Sequence, residues 1–239
     1  MQFFILVVFA CFFIFLFPVY LLSRDDFVLI RKDVTTENVF NIAFVLLAAS
    51  LFAARVLYAV SNPSFSFLNP FVFFLFPYFP GLSLVGGVGG AALFLLMLSR
   101  FKKLPTGRLF DIFSISALCS LPFGILGYFG FSGDVFSQRS VALFMIHVIE
   151  LGFFLKFLLP KMTSARFKDG TLGFLFLIFF SVTFLADNIL VREGDKLRLG
   201  IEDLVLILIL YTSAVFLFRQ EKLLAKVRKN LRAVDKLRR

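Results

Sequence analysis

The sequence predicts an all-α integral membrane protein of seven transmembrane helices, with its N-terminus outside and its C-terminus in the cytoplasm. Of the 239 residues, 60% are hydrophobic and 17% are charged, and the mean hydropathy is +0.95. Apolar runs of about 20 residues can each cross a hydrocarbon core roughly 30 Å thick. Because the runs are continuous rather than alternating with polar residues, they predict helices and not barrel strands.

Seven spans follow from these runs, and we place them at residues 2–22, 39–60, 82–99, 109–131, 140–160, 170–190 and 201–219. Residues 61–81 hold four prolines, which predict an extracytoplasmic arm with a short interfacial piece at Phe71–Phe76; an eighth span is the alternative. We interpret residues 1–219 as one transmembrane domain. Residues 220–239 form a basic cytoplasmic tail, which either lies as a helix on an anionic leaflet or is solvated.

Positive charge is distributed unevenly along the chain. Of the 25 Lys and Arg residues, 20 belong to one set of connections with the tail and four belong to the other set. The positive-inside rule therefore places the C-terminus in the cytoplasm. The rule also accounts for the net charge of +10, so we expect no nucleic-acid partner.

The sequence gives no indication of a metal or a cofactor. Cys11 and Cys119 lie in apolar runs without disulfide or zinc spacing, and His147 is the only histidine. We therefore expect neither a metal site nor a bound cofactor.

Ionisable residues within membrane spans are candidates for function because they are costly there. Arg55 and Tyr58 share one face of the second span, where Arg55 either binds a phosphate or reaches to the interface. His147 and Glu150 share a face of the fifth span, where they either relay a proton or satisfy each other. Asp187 and Asn188, with Arg192–Asp195, either line a headgroup pocket or are solvated.

Nine of the 15 glycines fall in two windows, Gly81–Gly90 and Gly124–Gly133. Gly86 and Gly90 have the GxxxG spacing of a close helix contact. Glycines at every third position of the second window cover about half of the helix circumference. We expect that helix to be thinned, bent or approached by something non-helical.

Four passages, in order, resemble the prolipoprotein diacylglyceryl transferase family of bacterial inner-membrane enzymes. Ala54–Tyr58, with the prolines that follow, resembles the family's Gly-Arg-x-x-Tyr helix and arm. Leu82–Gly87 resembles its Met-Ser-Phe-His-Gly-Gly, and Gly124–Phe129 resembles its Gly-Arg-x-Gly-Asn-Phe. Arg192–Asp195 resembles its closing Arg-x-Pro-Asp, so the resemblance covers about residues 35–219.

The resemblance implies transfer of a diacylglyceryl group from phosphatidylglycerol to a lipobox cysteine of a prolipoprotein. It implies substrate binding by Arg55, Tyr58, Gly86, Gly87, Gly124, Gly127, Arg192 and Asp195. The chain departs from the family where the chemistry needs a base and phosphate-binding cations. The family's His, Arg and Asn become Val85, Ile125 and Tyr128, its acidic residue becomes Gly133, and its sixth-helix Arg and Glu fall near Leu185 and Ile189.

Two hypotheses follow for a protein with these replacements. The first is a weakened transferase, in which Arg55 and Arg192 hold phosphate and His147 is the candidate base. The second is a pseudoenzyme that binds a phospholipid or a prolipoprotein signal-peptide region without reacting. A small-solute transporter is a third class, but the sequence lacks the midplane polar cluster or broken-helix pair expected of one.

Overall fold

The computed structural model describes residues 2–63, 73, 81–132, 137–164, 167–191 and 199–221. Within these ranges the helices are α1 (Gln2–Arg24), α2 (Phe27–Arg31), α3 (Thr36–Ser61), α4 (Leu84–Phe101), α5 (Thr106–Ser132), α6 (Gln138–Thr163), α7 (Thr171–Val191) and α8 (Ile201–Glu221). Helix α6 contains a π-helical turn at Phe154–Leu158.

Among the described residues, seven helices, all but α2, are long and apolar enough to cross a membrane. The predicted all-helical fold with seven spans is therefore confirmed, and the chain is a multi-pass membrane protein. Every span begins and ends within three residues of its predicted bounds. Helix α2, a single turn whose first amides bind the side chain of Asp26, was not predicted.

Parts of the sequence-based interpretation fall on residues outside those that the structure describes. They include most of the predicted 61–81 arm and tail residues 222–239. Gly133, Arg192 and Asp195 also lie outside the described ranges.

The helices begin where side chains can bind their first free amides. Thr35, Ser83 and Ser137 precede α3, α4 and α6, and each accepts a hydrogen bond from the amide three residues later, at 3.2 Å. Such caps satisfy backbone donors that have no partner inside the helix.

Helix α5 is the centre of the bundle. It contacts α1, α4, α6 and α7, and it is the most buried of the spans in the described part of the chain. Leu109, Ile112, Ile115 and Leu118 form a fully buried stripe along it. In contrast, α1 exposes Leu6, Phe9, Phe13 and Phe17, which is favourable only against lipid.

The two ends of the bundle carry different polar groups. We call the end where α3, α5 and α7 begin the Arg108 end, and the end where α4, α6 and α8 begin the Arg55 end.

Helices α3 and α4 pack closely together, as do α7 and α8.

The first glycine window is a close-packing seam between α4 and α3. A Cβ atom on Gly86 would lie 2.7 Å from Leu57 Cβ and 2.8 Å from the carbonyl oxygen of Ala53. The Ser50 hydroxyl donates a hydrogen bond to the Gly87 carbonyl at 3.1 Å. Small residues therefore let the two backbones approach, as the GxxxG spacing indicates.

Replacement of Gly90 by alanine is expected to lower the free energy of unfolding by about 1–3 kcal/mol. The added Cβ atom would overlap Ala53 Cβ, and neither atom can move without its backbone. Gly152→Ala is the matched control, because a Cβ atom there meets nothing within 4 Å. Unfolding in mixed micelles, followed by circular dichroism, measures both; equal losses would contradict the packing argument.

The second glycine window packs against a helix. A Cβ atom on Gly127 would overlap the Val7 side chain of α1, and one on Gly124 would lie 3.8 Å from the Cys11 sulfur. The expectation of a non-helical neighbour is therefore wrong at these two glycines. Their spacing of three places them on one seam with α1.

Candidate functional site at the Arg55 end

Arg55 connects α3 to the segment that precedes α4. Its Nη1 donates a hydrogen bond to the Gly81 carbonyl at 2.7 Å, and its Nε donates to the Phe73 carbonyl at 3.1 Å. The residue is only 2% exposed. An arginine in a membrane helix needs hydrogen-bond acceptors, and these backbone carbonyls supply two of them.

Tyr58 contacts the same segment from the next turn of α3. A Cβ atom on Gly81 would overlap the Tyr58 ring, and Gly81 has a φ of +142°. Glycine alone allows both this backbone and the close approach of the ring. The structure therefore brings Arg55 and Tyr58 together on Gly81, as their spacing of three predicts.

The positive end of α4 lies beside Arg55. The Ser83 amide donates to the carbonyl of Ala54 at 3.0 Å, and the Ser83 hydroxyl caps α4. Helix N-termini carry a partial positive charge. A guanidinium and a helix N-terminus together make this end of the bundle favourable for an anion.

Apolar side chains occupy the positions that the resemblance matches to the family's His and Arg. Val85 is 3% exposed and Ile125 is 4% exposed. Both belong to the continuous hydrophobic core, and Leu185 packs against it. Tyr128, at the position of the family's Asn, is exposed. The space around Val85 and Ile125 is filled with hydrocarbon.

Asp187 and Asn188 hold helices together. Arg139 of α6 donates to both carboxylate oxygens of Asp187, at 2.6 to 3.2 Å. The Asn188 side chain donates to Asp203 at 2.9 Å, and the Gly200 amide donates to the other Asp203 oxygen at 2.7 Å. These contacts join α6, α7 and α8. The sequence predicted either a solvated helix end or a headgroup pocket here, and neither prediction includes these contacts between helices.

His147 and Glu150 are buried on α6 but do not satisfy each other. The Nδ1 atom of His147 lies 2.8 Å from the carbonyl oxygen of Leu143. Its Nε2 atom and Oε1 of Glu150 have no hydrogen-bond partner among the described residues. The interpretation of a mutually satisfied pair is therefore wrong, because both residues share a face but their terminal atoms remain apart.

Sequence reasoning missed a polar network at the Arg108 end. Arg108 forms a buried ion pair with Asp26, at 2.5 Å, and lies 3.7 Å from Asp169. Asp111 accepts hydrogen bonds from the amides of Gly170 and Gly173, at 2.7 and 2.9 Å.

The end of α8 joins the same network. Glu221 accepts from the Lys168 amide at 3.0 Å and from the Thr171 hydroxyl at 2.8 Å. One signal in the sequence could have revealed the network, since Asp111 is a carboxylate within a predicted span.

The described residues hold no group of three or more His, Cys, Asp or Glu side chains arranged for a metal ion. Cys11 and Cys119 are free thiols. Comparison of the chain with protein-family models, curated proteins and solved structures gives no significant match.

Proposed function

We propose that this chain is a bacterial inner-membrane protein that binds an anionic phospholipid at its Arg55 end. Phosphatidylglycerol is the first candidate for this lipid. The protein binds the lipid without transferring its diacylglyceryl group. The observation that carries the proposal is the position of the Arg55 guanidinium beside the N-terminus of α4. The fixed positive charge of the guanidinium and the dipole of α4 both attract a phosphate group to this end of the bundle.

The neighbouring surface of α3 suits the acyl chains of such a lipid. Phe52 lies one turn before Arg55 and Val56 directly follows it, and both side chains are exposed. A lipid with its phosphate at Arg55 can therefore lay its chains along this apolar face.

The buried apolar residues favour binding over catalysis. Transfer requires a base near the thiol and cations on the leaving phosphate. Loss of a single such donor lowers a rate by a factor of about 10² to 10³. Val85 and Ile125 leave neither a base nor a cation at those two positions, and both side chains are packed in the core.

The distribution of Lys and Arg supports an orientation with the Arg55 end outside the cytoplasm. In that orientation the lipid comes from the outer leaflet of the inner membrane. A prolipoprotein signal-peptide region would meet the protein at the same end, and we propose it as the second partner.

Replacement of Arg55 by alanine is expected to weaken phosphatidylglycerol binding about 10- to 100-fold, the equivalent of a hydrogen bond to a charged group. Titration of the purified protein in micelles with labelled phosphatidylglycerol measures the affinity. Phosphatidylcholine, which has no net charge, serves as the comparison lipid. Addition of a lipobox peptide to the same samples tests for transfer.

Two further variants separate binding from the structural role of Arg55. Arg139→Ala removes another arginine at the same end and is expected to leave lipid affinity unchanged. Arg55→Lys retains the charge without the planar fork, so intermediate affinity supports the proposal. Unchanged affinity in Arg55→Ala would refute the site, and Arg55-dependent transfer to the peptide would refute the absence of catalysis.

A further inference from the structure

One face of α6 carries a line of buried polar groups through the membrane-spanning part of the helix. Ser140, His147 and Glu150 are buried on this face, and His147 is fully buried. The Ser140 hydroxyl, His147 Nε2 and Glu150 Oε1 lack hydrogen-bond partners within the described part of the chain. Buried polar atoms are rarely left in this condition.

The hydrogen bond to Leu143 determines which ring nitrogen of His147 carries the hydrogen and which one can accept a hydrogen bond. A carbonyl oxygen only accepts hydrogen bonds, so Nδ1 of His147 carries the hydrogen that it shares with Leu143. The neutral ring then presents a lone pair at Nε2. Both His147 Nε2 and an ionised Glu150 therefore act as acceptors.

Helix α7 contributes a hydroxyl at the same depth. Contacts between Arg139 and Asp187, and between His147 and Phe184, show that α6 and α7 run antiparallel. Glu150 follows His147 by three residues on α6, and Ser181 precedes Phe184 by three residues on α7. Both positions therefore lie one turn from the His147–Phe184 contact, toward the Arg108 end. Ser181 is fully buried, and its hydroxyl also has no partner among the described residues.

Charged groups on α5, α6 and α7 have contacts other than Glu150. Arg139 binds Asp187 at the Arg55 end, and the Lys156 ammonium lies over the Phe157 ring. On α5, which packs against both helices, Asp111 accepts two backbone amides. No ion pair to Glu150 occurs among the residues that the structure describes.

A π-helical turn begins at Phe154, one turn after Glu150. The Leu159 amide there binds the Phe154 carbonyl, five residues back. Such turns are rare inside α-helices and are frequent at functional sites. The π-helical turn is therefore a second observation, independent of the buried carboxyl group, that indicates a functional site in this part of α6.

We propose that Glu150, His147 and Ser181 form a site for one monovalent cation, H⁺ or Na⁺, between α6 and α7. A carboxylate without a partner is strongly unfavourable in a membrane interior. Two acceptors and a hydroxyl attract a cation or a proton and repel an anion. The site lies on other helices than Arg55 and is independent of phospholipid binding.

Infrared spectroscopy of the purified protein in liposomes tests the site, as the spectrum of the wild type minus that of each variant, recorded once in NaCl and once in choline chloride. A carboxylic acid C=O band that is absent in Glu150→Gln and insensitive to sodium indicates H⁺. Conversion of that band to a carboxylate band on addition of sodium indicates Na⁺. Glu37→Gln, which changes an exposed carboxylate on α3, is the matched control and is expected to retain the band.

Ser181→Ala and His147→Gln show whether the neighbours belong to the site. Loss of a hydrogen bond to a charged group is expected to raise the sodium concentration for half-conversion about tenfold or more. If the occupant is H⁺, the same variants are expected to shift the C=O band. The proposal is overturned if the C=O band persists in Glu150→Gln, or if it is lost equally in Glu37→Gln. It is also overturned if neither Ser181→Ala nor His147→Gln changes the band.

Discussion

Replacement of Arg108 by methionine is expected to lower the free energy of unfolding by about 3–5 kcal/mol, the cost of leaving one partner of a buried ion pair alone. Methionine replaces the aliphatic stem of arginine, so the loss reports the charge and not the packing. Asp26, the partner at 2.5 Å, is also buried. Unfolding in mixed micelles with increasing dodecyl sulfate, followed by circular dichroism, measures the change.

The control for this prediction is Arg100→Met, which changes an exposed arginine at the same end of the bundle. Asp26→Asn removes the partner charge but leaves an oxygen that can still accept from the amides of Val28 and Leu29. The double variant with Arg108→Met should therefore be more stable than the sum of the single losses predicts. Equal, small losses for Arg108 and Arg100 would show that the ion pair contributes little.

Replacement of Asp111 by alanine is expected to lower the free energy of unfolding by about 3–5 kcal/mol, because two buried backbone amides lose their acceptor at once. The amides of Gly170 and Gly173 at the start of α7 would have no acceptor in its place. Asp111→Asn retains one acceptor oxygen and should cost roughly half as much. Hydrogen exchange of the Gly170 and Gly173 amides should accelerate in both variants.

Asp25→Ala is the comparison for Asp111, since Asp25 is exposed and pairs only loosely with Arg24, at 3.8 Å. It should leave both stability and the exchange of the α7 amides unchanged. If Asp111→Ala changes neither the free energy of unfolding nor the amide exchange, as expected for Asp25→Ala, the hydrogen bonds from Gly170 and Gly173 to Asp111 do not stabilise the fold.

The seven spans could be predicted because a segment that crosses lipid needs about 20 apolar residues whatever its neighbours are. The short helix Phe27–Arg31 could not, since one turn is too brief for a periodic signal. Which helices pack against each other could not be predicted from the sequence either. Asp111 is a carboxylate in a span, but its partners Gly170 and Gly173 are about 60 residues away in the chain.

The candidate site was predicted in part. A spacing of three places Arg55 and Tyr58 on one face, and both contact Gly81. The same spacing places His147 and Glu150 on one face, yet it does not determine where their terminal atoms point. Spacing fixes the direction of a side chain from its helix, whereas the hydrogen-bond partner depends on the rotamer and on neighbouring helices.

The cap that Asp111 provides to α7 has a consequence for biogenesis. Ribosomes make the chain from the N-terminus, so α5 enters the membrane before α7 does. Until α7 is inserted, Asp111 faces its surroundings without the amides of Gly170 and Gly173 as donors. Insertion of α7 therefore completes the hydrogen bonding of α5, and a nascent chain that ends before α7 leaves the Asp111 side chain without these two donors.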